Sequence, residues 1–144
     1  MTDQLQTENQ VIESLKIALI SRGWKIVAFA TTMEHGVDLH APRSGKTLRI
    51  EAKGNTSSKE GSKRYGELQK PNQHFIQVAT ALLKCAELKS AEPEAYVAIA
   101  VPLHSRMQGR IERIEPVLKA ADLAVLWVAG DGTVSAWNAP WFGR

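Results

Sequence analysis

Apolar residues recur at helical spacing at Val11, Ile12, Leu15, Ala18 and Leu19, which predicts an amphipathic helix with one buried stripe. Thr7 with Gln10 three positions on is the signature of a capping box, and Gly23 closes the pattern. Residues 24–30 are β-leaning and predict a first strand. Residues 37–41 and 47–53 predict two more. The second alternates, with Leu48, Ile50 and Ala52 on one face and Arg49, Glu51 and Lys53 on the other. Pro42, Arg43, Ser44, Gly45 and Lys46 between them are turn chemistry, so the three strands form an antiparallel meander.

Residues 54–69 are the most polar stretch and predict a loop. Pro71 suits the first turn of a second helix, whose buried stripe is expected at Phe75, Val78, Ala79, Leu82 and Leu83, continuing to Leu88. Cys85 is expected to pack as a small hydrophobe, and His74 to lie on the surface. Residues 95–101 are a near-continuous apolar run, the mark of a strand buried on both faces. Residues 105–121 read as helical, broken or kinked by Pro116. A second buried strand (123–128), a hairpin turn (129–132) and a return strand (133–137) follow. Trp141 and Phe142 are expected to dock on the body or on a second subunit of a homodimer.

The resulting order, αβββαβ followed by αββ, is an α/β fold with helices on both faces of a mixed sheet. At 144 residues, a single domain over 1–144 is expected. A hydrophobic fraction of 44% supports a real core, and no apolar run reaches membrane-spanning length. One cysteine allows no internal disulfide or cysteine-rich zinc site, and the start has no signal-peptide pattern; a cytoplasmic location is expected. A net charge of +3 permits a nucleic-acid partner without requiring one.

The chemistry converges on the meander. Folding back about Ser44 brings Asp38 opposite Ile50 or Glu51, with cross-strand Cβ atoms about 5 Å apart. Lys53, two residues after Glu51, points the same way. Two carboxylates and an ammonium on one patch suit Mg²⁺, which takes one or two carboxylates and keeps several waters. Gly45-Lys46-Thr47 imitates the end of a phosphate-binding loop. That motif needs glycine where His40 stands, and a helix should follow it rather than a strand.

Asp38, a hairpin, then Glu51-Ala52-Lys53 resembles the PD-(D/E)XK nuclease superfamily, whose restriction-endonuclease-like core has this order of elements. Val37 stands where the family often has proline. The resemblance spans residues 8–137 and implies a Mg²⁺-dependent nuclease acting on DNA, with Mn²⁺ as a substitute and RNA open as a substrate. It implies that Asp38, Glu51 and the Ala52 backbone carbonyl hold the metal and that Lys53 assists the nucleophile. It also implies an acidic residue on the first helix, with Glu13 as candidate and Glu8 in reserve, the alternative being a solvated carboxylate. A glutamine on the helix after the motif is implied too, Gln77 or Gln73. Lys59, Lys63 and Arg64 in the loop are expected to grip backbone phosphates. The other reading is a non-catalytic nucleic-acid-binding or assembly module that keeps the fold.

Overall fold

The computed structural model describes residues 5–29, 39–55 and 71–143. Helix α1 (Glu8–Ser21) opens on the expected capping box: the Gln10 amide donates to the Thr7 hydroxyl (3.1 Å), and the Thr7 amide donates to the Gln10 side chain (2.8 Å). Strand β1 (Ala28–Phe29) is much shorter than residues 24–30. Trp24 instead turns into the core, edge-on to Tyr96 and Trp141. Its large ring gains more by burial there than by extending an edge strand.

Strands β2 (Leu39–Arg43) and β3 (Lys46–Ala52) pair antiparallel from Arg43↔Lys46 to Leu39↔Ile50. The two-residue turn between them has positive φ at both Ser44 (49°) and Gly45 (80°), which matches the right-handed twist of a hairpin. Helix α2 (Pro71–Ala91) leads to β4 (Tyr96–Pro102), then α3 (Ser105–Glu112), α4 (Glu115–Ala120), β5 (Leu123–Val128) and β6 (Val134–Trp137). Pro116 breaks the third helical stretch rather than bending it. It lies in the first turn of α4, where its missing N–H costs nothing.

The sheet order is β1-β2-β3-β4-β5-β6, with β3, β4 and β5 parallel and the outer pairs antiparallel. Both parallel connections step outward in the same direction, and right-handed crossovers then place α2, α3 and α4 on one face. That face buries Val97, Ile99, Val101, Leu123 and Val125 against Val78, Ala81, Cys85, Met107, Ile111 and Leu118. The other face carries α1 over Leu48, Ile50, Ala52, Ala98, Ala100 and Ala124, and these alanines let the helix approach closely. The C-terminal segment docks on the body: Phe142 is buried in that core, and Trp141 stacks on Tyr96 at 5.3 Å. No helix among the described residues is long and apolar enough to cross a membrane.

The second helix differs from its expected orientation. Val78, Ala81 and Cys85 are buried, whereas Phe75, Ala79 and Leu83 are exposed. Apolar residues surround most of α2, so its own pattern does not fix its rotation; the sheet decides it. Gly54 and Asn55, the start of the expected polar loop, follow β3 outside any helix or strand yet are both buried; residues 56–69 of that stretch lie outside the described residues.

Candidate active site

Alternation along β3 puts Leu48, Ile50 and Ala52 beneath α1 and turns Arg49, Glu51 and Lys53 toward α2. The helix answers this charged row. Arg49 pairs with Glu92 near its C-terminal end, and Lys84 reaches Glu51 one step further back along it. The two pairs also show that α2 runs antiparallel to β3.

Glu51 is 1% exposed. Its Oε2 lies 3.5 Å from Lys53 Nζ and 3.4 Å from Lys84 Nζ. Neither carboxylate oxygen accepts a hydrogen bond from a described residue. A buried carboxylate without hydrogen bonds is costly even when ammoniums stand beside it. A buried polar group left unsatisfied in a native fold calls for a specific explanation.

The approach of α1 completes the cluster. Beyond β3 the chain continues with Lys53, whose amide donates to the Ala100 carbonyl (2.9 Å). Asn55 donates from its amide to the Gln6 carbonyl (2.9 Å) and accepts from the Gln6 amide (2.8 Å). The Gln6 side chain in turn donates to the Val128 carbonyl (2.7 Å). These bonds press the start of α1 onto Gly54, where an added Cβ would lie 2.5 Å from the Glu8 nitrogen and 2.6 Å from the Thr7 carbonyl carbon. Both obstructing atoms are backbone and cannot swing aside. Gly54→Ala is therefore expected to cost about 1–3 kcal/mol, read as a lower urea midpoint at unchanged m-value. A midpoint equal to wild type would show that this contact yields easily.

Glu8, in the first turn of α1, comes within electrostatic reach of the cluster. Burial pushes its carboxyl above the usual 4.5, Lys53 pulls it back, Glu51 pushes it up further and Lys84 opposes that. A carboxyl raised in the folded state is protonated more readily there than in the unfolded chain. Its contribution therefore falls as pH rises from the unfolded value through the folded one. Glu8→Gln should gain thermal stability relative to wild type as pH is raised above about 4.5, the ordinary value. A difference in Tm that stays flat from pH 4 to 7, or that moves the other way, would count against this burial.

Glu13, the favoured candidate on the first helix, is placed elsewhere. It is exposed, pairs with Lys16 at 3.4 Å and borders a groove with Gly130, Asp131 and Gly132. Glu8 lies three and four residues before Val11 and Ile12, on the line of the buried stripe, whereas Glu13 falls off it. That spacing was the available signal. Lys84 was missed altogether; its position beside Ala81 and Cys85 was the only clue. Gln77 is half-buried on the Ala81–Lys84 side of α2, about 10 Å along the axis from Lys84 toward the C-terminal ends of the parallel strands. Gln73 is also half-buried. Asp38, Lys59, Lys63 and Arg64 lie outside the described residues.

The donor set suits a hard divalent cation. Glu51 offers a buried carboxylate whose oxygens accept no hydrogen bond from a described residue, and Glu8 is a second carboxylate nearby. Among the described residues no group of three or more His, Cys, Asp or Glu is placed to hold a metal.

No protein-family model and no curated protein matches the sequence. Two solved structures are similar in fold. One is an XisH family protein from Nostoc punctiforme, with a TM-score of 0.52 and 21% identity, covering 87% of this chain and 95% of that one. The other is an FdxN element excision controlling factor protein from Anabaena variabilis, with a TM-score of 0.53 and 21% identity, covering 88% and 96%. These likenesses cover most of the chain and show the α/β fold.

Proposed function

We propose that the protein is a Mg²⁺-dependent phosphodiesterase that cleaves DNA. The observation that carries this reading is the Glu51 carboxylate, buried, without a hydrogen bond from any described residue, and set between Lys53 and Lys84. A purely structural ion pair would gain by hydrogen-bonding its remaining lone pairs. In this reading Glu51 and Asp38 hold the cation together with the Ala52 carbonyl, and Glu8 takes the place expected of Glu13. The bound cation would acidify a water and polarise a phosphoryl oxygen. Lys53, with its side chain 13% exposed, stands where it can stabilise an attacking hydroxide or the charge developing on phosphorus. Glu8, whose carboxyl burial raises above its usual value, would favour its ionised form as a cation binds.

The excision role in one relative's name belongs to that protein; here the reading rests on Glu51 and its neighbours. The test is cleavage of supercoiled, linear, single-stranded and branched DNA with and without Mg²⁺ or Mn²⁺. Metal-dependent products from any of these would support the reading. Absence of cleavage on all of them, with no Mg²⁺ or Mn²⁺ bound in calorimetry, would retire it.

A further inference from the structure

Histidine 74 was expected on the surface, yet it is 2% exposed. It lies in the first turns of α2, tilted against His104 at a ring separation of 6.5 Å. His104 caps α3, its Nδ1 accepting from the Arg106 amide (3.2 Å). Neither nitrogen of His74 has a hydrogen-bond partner among the described residues. An imidazole must carry at least one N–H, so a buried donor here is left unsatisfied, which proteins rarely allow without a reason.

His74 lines a groove of about 300 Å³ between α2 and α3, together with Ser105, Arg106, Gly109, Arg110 and Arg113. The three arginines are spaced i, i+4 and i+7, along one side of the helix. Among the described residues no carboxylate lines the groove, and none of the three guanidiniums forms an ion pair with one. The first turn of α3 adds the positive end of its dipole. We propose that this groove binds a phosphate of a nucleic-acid backbone, with His74 donating from its floor and Arg106, Arg110 and Arg113 holding it from the rim.

Guanidinium forks match phosphate oxygens, and the neutral imidazole supplies a directed bond without adding charge. Burial, Arg106, His104 and Arg110 all hold the His74 pKa below its ordinary value, consistent with a neutral ring. The groove opens at the C-terminal end of β4, the edge of the sheet toward which Lys53 and the start of α1 also project. His74 is ten residues before Lys84, about 15 Å along α2. That is roughly four base steps at 3.4 Å per step. A strand crossing Glu51 could therefore set a second phosphate here. This last link rests on the nuclease reading; phosphate binding in the groove does not.

The test is fluorescence anisotropy of two short duplexes of unrelated sequence, without divalent metal, over a salt series. Arg106→Gln/Arg113→Gln should weaken both duplexes alike, by about tenfold per arginine at low salt. It should also flatten the slope of log K against log salt by about 0.9, the contribution of the one phosphate the groove holds. His74→Asn should weaken binding at pH 8 while leaving that slope unchanged, because a neutral donor releases no counterion. An unchanged slope in the double variant, weakening confined to one sequence, or no duplex binding by wild type would overturn the proposal. Binding of inorganic phosphate without duplex binding would overturn the backbone assignment. A protein that cleaves nothing but shows the expected slopes would keep the groove and lose the nuclease reading. Cleavage with slopes unchanged would do the reverse.

Discussion

Glu51→Gln is expected to abolish Mg²⁺-dependent cleavage while leaving the fold in place. The amide keeps the size and planarity of the carboxylate, so the 1%-exposed position remains filled. What it removes is the anionic oxygen that binds a hard cation. We expect a fall in turnover of about 10³-fold or more, or roughly 4 kcal/mol of transition-state stabilisation. Asp38→Asn should act in the same direction for the same reason. Lys53→Ala should differ: it should leave cation binding intact or tighter, because a positive charge beside the carboxylate is gone, and lower turnover by roughly 10²–10³-fold. Calorimetry with Mg²⁺ in the presence of DNA, beside single-turnover kinetics, separates the two effects. Equal cleavage by wild type and Glu51→Gln would remove this carboxylate from the chemistry.

The second large effect concerns stability. Lys53→Ala combined with Lys84→Met should destabilise the protein by about 3–5 kcal/mol, the usual cost of leaving a buried charge without its partner. The single variants should each cost less, since one ammonium still stands within 3.4 or 3.5 Å of Oε2. Adding Glu51→Gln to the double variant should restore much of the loss, because the stranded charge is then gone. Urea unfolding of wild type and all four variants closes the comparison. A double variant no less stable than the singles, or a triple variant less stable than the double, would mean that the ammoniums do not compensate Glu51.

These expectations depend on side chains that differ in how visible they were along the chain. The turn at Ser44-Gly45 and the β3 alternation were legible because each is a local rule: positive φ needs particular residues, and a strand's period is two. The expected hairpin appears, with Leu39 opposite Ile50. Helix α1 was legible through its capping box and its stripe. The structure sets Glu8 rather than Glu13 within reach of Glu51, because a stripe border is a weaker guide than the line of the stripe itself. Helix α2 was misread in rotation, and with it His74, Phe75 and Leu83 exchanged their expected surroundings.

The order of elements, the polar face of β3 and the placing of Glu51 and Lys53 together on that face are legible in the amino-acid sequence. They are legible through short-range periodicity and turn stereochemistry, which depend only on neighbours in the chain. The tertiary structure alone decided that Lys84 joins them, that α1 presents Glu8 rather than Glu13, and that His74 is buried beside an arginine-lined groove. Those outcomes depend on how far each helix slides and turns against the sheet. For α1 that is set by close packing over the alanines of β3, β4 and β5 and against Gly54, and for α2 by packing on Val97, Ile99 and Val101, between residues distant in sequence.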